Sequence, residues 1–195
     1  MTSILVVCTG NICRSPIAEG LLRDALTSRF GGRAPSVSSA GLVAVEGAGA
    51  TVEAVEAASE RGADISGHRA RRLGSVPNFD ADLVIGMAAE HREATFGSPG
   101  GGERAFTLKE LVRLLESLPP VPAGAGPEHL ETRIAQAAES RRAGFVGNPL
   151  DEDIVDPLGM PFQSYQAVAW ELDEWIARLV VGLYGAAPMT AASEG

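Results

Sequence analysis

Near the start of the chain, a cysteine and an arginine lie close together in the run Cys8-Thr9-Gly10-Asn11-Ile12-Cys13-Arg14-Ser15-Pro16. A cysteine thiolate is a strong nucleophile, and the planar guanidinium of arginine can hold two oxygens of a tetrahedral anion at once. Gly10 permits backbone conformations in which successive N–H groups converge on one anion. The run therefore predicts a binding site for an oxyanion, with a sulfur nucleophile beneath it.

The flanking segments indicate how this run is held. The apolar residues 4–7 are typical of a buried strand, and the amphipathic residues 16–30 are typical of a helix. A helix N-terminus has free N–H groups and partial positive charge, which favour the thiolate form of Cys8. Ser15 suits either a helix cap or a hydrogen bond to the sulfur, and Pro16 suits the first helical position. The alternative is a buried inert thiol beside a solvated arginine, and the combined arrangement makes us reject it.

The rest of the chain alternates between strand patterns and helix patterns. This alternation predicts an α/β fold with a parallel sheet and right-handed crossovers. The first loop then lies at the carboxyl end of a strand, where such sheets bind ligands. The predicted strands are residues 3–8, 36–40, 80–87 and 105–108. The predicted helices are residues 16–30, 51–61, 88–96, 109–118, 128–143 and 164–184, and residues 97–102 are a predicted flexible turn.

The chain length of 195 residues predicts one domain, residues 1–184, followed by a disordered tail, residues 185–195. Residues 117–127 are too rich in proline and glycine for regular structure. We interpret residues 119–149 as an insertion into an otherwise compact fold. A surface excursion and a lid near the site are both compatible with it, and we favour the excursion.

Charge and composition exclude several classes of function. The net charge of −9 disfavours nucleic-acid binding, and we interpret the nearest basic cluster, Arg69, Arg71 and Arg72, as a solvated face. No apolar run approaches the roughly 18 residues of a membrane helix, and the N-terminus does not resemble a secretory signal. Two cysteines in one loop make neither a disulfide framework nor a zinc site, and we predict a cytoplasmic protein.

Four stretches together resemble the low-molecular-weight protein tyrosine phosphatase family. The resemblance implies a three-layer fold, in which a four-stranded parallel sheet is flanked by helices. It also implies hydrolysis of phosphate monoesters through a cysteinyl-phosphate, without a metal or a cofactor. The substrates it implies are phosphotyrosine proteins or small aryl phosphates. The matching stretches are Cys8 to Glu19, Ser39-Ala40-Gly41, His68 to Leu73 with Asp82 to Met87, and Asp153-Ile154-Val155-Asp156-Pro157.

The resemblance also implies roles for three catalytic side chains. Cys8 is the nucleophile, and Arg14 holds the phosphate oxygens together with the N–H groups of the phosphate-binding loop, residues 9–15. Asp156 protonates the leaving group and then activates water. Pro157 restricts Asp156 to extended geometry, whereas the nearby alternatives Asp151 and Asp153 do not precede a proline.

Other positions are implied to support the loop. Asn11, Ser39 and His68 match residues that hold it in shape by hydrogen bonds, and we expect His68 to contact Ser15. Asparagine also suits a left-handed backbone conformation. Cys13 is the family's second thiol. It is either a trap that protects an oxidised nucleophile as a disulfide or a small buried residue, and both interpretations remain open.

The predicted cleft lacks the aromatic walls that are usual for phosphotyrosine. Leu158 and Gly159 follow the Asp-Pro pair, and residues 42–46 are Leu-Val-Ala-Val-Glu. Phe162 and Tyr165 are the candidates to replace those walls. Two other functions therefore stay open, namely arsenate reduction with an external thiol and a catalytically silent module that binds phosphate.

Overall fold

The computed structural model describes residues 2–75, 81–95, 102–144, 148 and 151–187. Four parallel strands form one sheet in the order β2-β1-β3-β4. They are β1 (Ser3–Cys8), β2 (Ser36–Gly41), β3 (Leu83–Gly86) and β4 (Ala105–Thr107). The helices are α1 (Arg14–Phe30), α2 (Val52–Glu60), α3 (Ala89–Glu93), α4 (Leu108–Ser117), α5 (His129–Arg142) and α6 (Phe162–Tyr184), with short 3-10 turns at Gly31–Arg33, Leu73–Ser75 and Gly102–Arg104.

The predicted α/β sheet and its strand content are confirmed. Differences are confined to the ends of elements, where hydrogen bonding and not hydrophobic pattern sets the limit. Helix α1 begins at Arg14, two residues earlier than predicted, because the Ile17 N–H group bonds to the Cys13 carbonyl at 3.2 Å. The outer ends of the predicted strand 80–87 and helix 88–96, and most of the turn 97–102, lie outside the described residues.

The sheet is buried on both faces, as the continuous apolar run of β1 predicts. Ile4 and Val6 join the large core cluster, which includes buried side chains of α1, α4 and α6. Leu5 and Val7 point to the opposite face and pack in a smaller cluster with side chains of the other strands. Because β1 is central and parallel to both neighbours, its last residue, Cys8, is held rigidly at the carboxyl edge of the sheet.

Helix α5 packs against the helices that cover one face of the sheet. Its buried side chains Leu130, Ile134 and Ala137 belong to the large core cluster. Arg133 is also buried, and it donates hydrogen bonds to the carbonyls of Leu115, Pro119 and Gly182. The described part of segment 119–149 thus lies against α4 and α6. Its status as an insertion stays a prediction.

The predicted disordered tail starts at Gly185, and most of its residues lie outside the described ranges. Arg29 donates hydrogen bonds to the carbonyls of Tyr184 and Gly185, which holds the end of α6 against α1. Among the described residues, no helix is both long enough and apolar enough to cross a membrane.

Candidate active site

The loop after β1 surrounds the Cys8 thiol with hydrogen-bond donors. The Cys8 side chain is only 2% exposed, and its Sγ accepts the Asn11 backbone N–H at 3.2 Å. Ser15 Oγ lies 2.9 Å from the sulfur and accepts a hydrogen bond from Asn11 Nδ2, also at 2.9 Å. Because Ser15 already accepts from Asn11, its hydroxyl proton is free to donate to the sulfur. The alternative, a helix cap by Ser15, is wrong: α1 has no side-chain cap.

Asn11 is the centre of the network that shapes the loop. It has no exposed surface and is the one residue other than glycine with positive φ, 55°, within the described part of the chain. Its Nδ2 donates to Ser39 Oγ at 2.7 Å as well as to Ser15, and its Oδ1 accepts the Arg71 backbone N–H at 2.8 Å. Its backbone carbonyl accepts from His68 Nε2 at 2.8 Å. Asparagine thus supplies both the left-handed conformation and the hydrogen bonds that maintain it.

The predicted contact between His68 and Ser15 is wrong. His68 instead bonds to the Asn11 carbonyl, so its Nε2 carries a proton. Burial is the largest cause that lowers the pKa of His68, while the Asn11 carbonyl and the Glu19 carboxylate oppose that shift. A neutral imidazole with one fixed proton suits a support of the loop.

Two residues of this network were not identified from the sequence. Glu19 accepts a hydrogen bond from Ser39 Oγ at 2.5 Å, and the Arg71 guanidinium donates to the Ser39 carbonyl at 2.8 Å. The interpretation of Arg71 as part of a solvated face is therefore wrong, since the side chain is half-buried. Glu19 could have been identified from the sequence, because a carboxylate among apolar neighbours on a helix indicates a buried partner. Nothing in the local sequence distinguishes Arg71 from Arg69.

Gly41 leaves no space for a side chain beneath the loop. A Cβ at this position would lie 2.7 Å from the Thr9 carbonyl oxygen and 2.8 Å from the Asn11 nitrogen. Both are backbone atoms, so they cannot move aside as a flexible side chain would. This close approach explains why the segment Ser39-Ala40-Gly41 ends in glycine.

Gly41→Ala is therefore expected to lower both stability and activity. Displacement of the loop should reduce the free energy of unfolding by about 1–3 kcal/mol and lower kcat/KM for an aryl phosphate. Thermal unfolding and turnover of the purified variant measure the two effects. The control is Gly49→Ala, where a Cβ meets nothing within 4 Å. Equal stability and activity of the two variants would contradict this account of the loop.

Arg14 joins the loop to a distant segment of the chain. Its side chain is nearly buried, and its Nη1 donates to the Ile154 carbonyl at 3.1 Å. Its Nη2 lies 2.5 Å from Asp156 Oδ2 and 3.2 Å from Thr9 Oγ1. Asp156 is 142 residues away in sequence, and its side chain stays 43% exposed. The predicted pair of Arg14 and Asp156 is therefore brought together at the open side of the site.

The two alternative acids are engaged elsewhere. Asp153 Oδ1 accepts the Ala89 backbone N–H at 2.8 Å, at the first residue of α3. Asp151 pairs with Lys109 at 2.9 Å and with Arg113 at 2.6 Å, and its hydrogen bond with Lys109 is the largest cause that lowers its pKa. Neither carboxylate lines the pocket that contains Cys8, whereas Asp156 does.

Cys13 is buried beneath the loop. Its Sγ lies 3.7 Å from Thr51 Oγ1 and 4.0 Å from the Tyr165 hydroxyl. Burial is the largest cause that raises the pKa of this thiol. Both cysteines are free thiols. Cys13 therefore fits a packed structural thiol in this state, and its redox role remains a prediction.

A small pocket of about 160 Å³ lies directly above Cys8. Val43 and Leu158 form its outer walls and are 60% and 55% exposed. Tyr165 is buried and Phe162 packs against the core cluster, so neither replaces an aromatic wall, and that prediction is wrong. The pocket's lining consists of Cys8, Thr9, Gly10, Ile12, Cys13, Arg14, Val43, Asp156 and Leu158.

One further buried residue touches the site and was missed in the sequence. His91 on α3 has no exposed surface, and its Nε2 lies 3.0 Å from Thr9 Oγ1. It lies 82 residues away from Thr9, and no motif surrounds it. Among the described residues, no three His, Cys, Asp or Glu side chains are grouped as metal ligands.

A buried thiol that accepts a loop N–H group, in a pocket shared with an arginine at the carboxyl edge of a parallel sheet, is typical of enzymes that transfer a phosphoryl group to cysteine. A model of the low molecular weight phosphotyrosine protein phosphatase family matches residues 3–116. The chain therefore belongs to this family of cysteine-dependent phosphatases.

Individual relatives agree with this assignment. The chain is 46% identical over 111 residues to the probable low molecular weight protein-tyrosine-phosphatase EpsP of Ralstonia solanacearum, covering 56% of this chain and 72% of that protein. It is 30% identical over 177 residues to a protein-arginine-phosphatase of Geobacillus stearothermophilus, covering 90% and 92%. A solved low molecular weight protein tyrosine phosphatase from T. tengcongensis matches with a TM-score of 0.66 at 34% identity, covering 92% of this chain and 98% of that one. Arsenate reduction is not favoured, because these relatives are named as phosphatases.

Proposed function

We propose that this protein hydrolyses phosphate monoesters, with Cys8 as nucleophile, Arg14 as the main ligand of the phosphate oxygens and Asp156 as general acid and base. The observation that carries the proposal is that all three side chains line the same small pocket. Its volume of about 160 Å³ suits a tetrahedral anion. The loop around the sulfur supplies backbone N–H groups for the anion's oxygens, and these act without any metal.

The first step transfers the phosphoryl group to the enzyme. The Cys8 thiolate attacks phosphorus in line, so that an S–P bond forms while the P–O bond to the leaving group breaks. The electron pair of that bond stays on the leaving oxygen, which takes a proton from Asp156. Arg14 and the loop N–H groups hold the three remaining oxygens, where negative charge is concentrated.

The second step releases phosphate. Asp156, now a carboxylate, removes a proton from a water molecule that attacks the phosphorus of the cysteinyl-phosphate. The S–P bond breaks, and its electron pair returns to Cys8 as thiolate. The Ser15 hydroxyl, 2.9 Å from the sulfur, stabilises this leaving group with a hydrogen bond. Asp156 regains its proton, and the enzyme returns to its starting state.

The pocket walls favour an aryl leaving group. Ile12, Val43 and Leu158 present aliphatic surface without hydrogen-bonding atoms, against which the faces of a phenol ring can pack. We therefore propose phosphotyrosine in a protein, or a small aryl phosphate, as the substrate. Aliphatic walls replace ring stacking, so binding depends on buried apolar area and not on aromatic geometry.

Phosphoarginine in a protein is the second candidate. The observation that favours it is the arginine phosphatase relative, which matches this chain over 90% of its length. A phosphorylated guanidinium retains N–H groups that need acceptors when they are desolvated. Among the described lining residues, Asp156 carries the one side-chain carboxylate. The aliphatic walls thus favour the aryl ester.

Activity on a matched set of substrates tests the proposal. We expect kcat/KM for a phosphotyrosine peptide to exceed that for the same peptide with phosphoserine or phosphoarginine by about tenfold or more. Acid quenching during turnover should trap phosphate on the protein, and none on a Cys8→Ala variant, which has no acceptor atom at this position. Hydrolysis of no phosphomonoester would overturn the proposal, and a preference for phosphoarginine would favour the second candidate.

A substitution of Val43 in the pocket wall tests whether apolar packing causes the preference for an aryl substrate. Val43→Thr keeps the shape of the side chain but adds a hydroxyl, so it should raise KM for the aryl substrate about two- to fivefold. The turnover number should change little, since the hydroxyl does not reach the reacting atoms. An unchanged KM would show that Val43 is not part of the substrate's binding surface.

We also propose that the protein works in a reducing compartment such as the cytoplasm. A nucleophilic thiol with a second thiol in the same loop needs reduced surroundings to remain active.

A further inference from the structure

His91 contacts the phosphate-binding loop but has no part in the mechanism above. Its Nε2 lies 3.0 Å from Thr9 Oγ1, and the same oxygen accepts a hydrogen bond from Arg14 Nη2 at 3.2 Å. Gly86 allows α3 to approach this closely, because a Cβ there would lie 2.8 Å from the Arg92 nitrogen and 3.2 Å from the His91 Cβ. A continuous hydrogen-bonded chain therefore joins His91, Thr9 and Arg14.

The hydrogen-bonding partners determine the direction of the first bond in this chain. His91 Nδ1 is buried and has no hydrogen-bonding partner within the described ranges. A buried N–H group without a partner is much rarer in proteins than a buried lone pair without one. The imidazole proton therefore lies on Nε2, which donates to Thr9 Oγ1 at 3.0 Å, the nearer of its two acceptors, since Glu90 Oε1 lies 3.5 Å away. Because Arg14 also donates to this oxygen, both lone pairs of the Thr9 hydroxyl are used.

Burial keeps His91 neutral, although most of the charged groups around it are carboxylates. Burial is the largest cause that lowers its pKa, and the Arg14 guanidinium lowers it further. The carboxylates of Glu90, Asp153 and Asp156 oppose this shift, but the net direction is downward. A neutral imidazole at about pH 7 and above agrees with a single proton on Nε2.

Arg14 Nη2 has two anchors of different kinds. One is the Asp156 carboxylate at 2.5 Å, and the other is the Thr9 hydroxyl at 3.2 Å. In the proposed mechanism, on which this inference rests, Asp156 gains and loses a proton in each turnover, so the strength of its ion pair varies. The hydrogen bond from His91 to Thr9 joins two neutral groups, so it does not change in strength during turnover. It therefore keeps the Thr9 hydroxyl in place beside Arg14 Nη2 in both steps.

We propose that His91 is a positioning residue, which acts through Thr9 to hold the Arg14 guanidinium over the pocket while the Asp156 carboxyl changes its protonation. The role belongs to His91 Nε2, since this is the atom that reaches Thr9. Any side chain that supplies an N–H donor at the Nε2 position should substitute in part, and one that supplies it at the Nδ1 position should not.

Two amide variants test this distinction. His91→Gln places its amide nitrogen near the Nε2 position, whereas His91→Asn places it near Nδ1. We expect His91→Asn to lower kcat for para-nitrophenyl phosphate about 5- to 30-fold, with KM within about twofold, because alignment matters most in the transition state. Binding of vanadate, which mimics that state, should weaken in parallel. His91→Gln should recover most of the loss.

A double-mutant cycle separates positioning from general support of the fold. Thr9→Val removes the hydroxyl at nearly constant size, and combining it with His91→Asn should add little to the larger single loss, because both changes break one chain. Thermal unfolding of each variant checks that the folded protein is being compared. Losses that simply multiply, or a His91→Gln variant no better than His91→Asn at equal stability, would overturn the proposal.

Nitrogen NMR of the unaltered protein provides a test that does not depend on the folding of any variant. The His91 imidazole is expected to be the neutral Nε2–H tautomer at about pH 7. A neutral Nδ1–H tautomer, or a charged ring, would overturn the assignment of His91 Nε2 as donor. The spectrum requires no turnover, so its outcome is distinct from a failure of the unaltered protein to hydrolyse phosphate esters, which would count against the proposed function.

Discussion

Cys8→Ser is expected to abolish turnover while the fold stays intact. The hydroxyl replaces the thiol at nearly the same size, and the Asn11 N–H and Ser15 hydroxyl can still donate to it. A serine hydroxyl, however, is almost never ionised near neutral pH, so it is a far weaker nucleophile than a thiolate. We expect kcat for an aryl phosphate to fall by about 10³-fold or more. Steady-state turnover, with circular dichroism as the measure of folding, checks this.

Cys13→Ser is the matched control, because it makes the same substitution in the same loop. Cys13 lies beneath the loop, where its Sγ contacts the hydroxyls of Thr51 and Tyr165 and makes no hydrogen bond to Cys8 or Asp156 among the described contacts. Its replacement should cost stability but retain most of the activity. A Cys8→Ser variant that remains active would refute the assignment of the nucleophile. An equal loss in a folded Cys13→Ser variant would show that the two thiols act together.

Asp156→Asn should have the second largest effect. An amide of the same shape keeps an oxygen to accept the Leu158 backbone N–H, which now bonds to Asp156 Oδ1 at 3.2 Å. It cannot deliver a proton, so kcat should fall about 10²- to 10³-fold, within the usual contribution of general acid catalysis. The loss should be larger for phenyl phosphate than for para-nitrophenyl phosphate, since a more basic phenolate needs the proton more. Comparison of the two substrates in one assay measures this difference.

Asp153→Asn serves as the control for that variant. The Asp153 side chain accepts the Ala89 backbone N–H through Oδ1, and an amide oxygen can do the same. This variant should therefore keep nearly all of its activity and much of its stability. If Asp153→Asn instead caused the large loss that depends on the leaving group, and Asp156→Asn did not, the general acid would be Asp153.

Local sequence determined the fold class and the centre of the site. The apolar run of residues 4–7 indicates a buried strand, and the alternation of strand and helix patterns after it predicts a parallel α/β sheet. The loop from Cys8 to Arg14 is short, so its residue types and their spacing already bring the thiol and the guanidinium close to one anion. These features depend on contacts between residues near in sequence, which patterns describe well.

The tertiary structure decided which distant residues complete the site. Asp156 and Asp153 are three residues apart and chemically identical, yet one faces Arg14 and the other holds the start of α3. His68 and His91 reach different atoms of the loop across 57 and 82 residues of sequence. Such contacts follow from how strands align and helices pack, where a shift of one residue redirects a side chain. The sequence by itself therefore predicted the proposed nucleophile and its anion-binding loop, whereas only the packing of distant segments shows which carboxylate lies beside Arg14, which atoms the loop's supports reach and which side chains line the pocket.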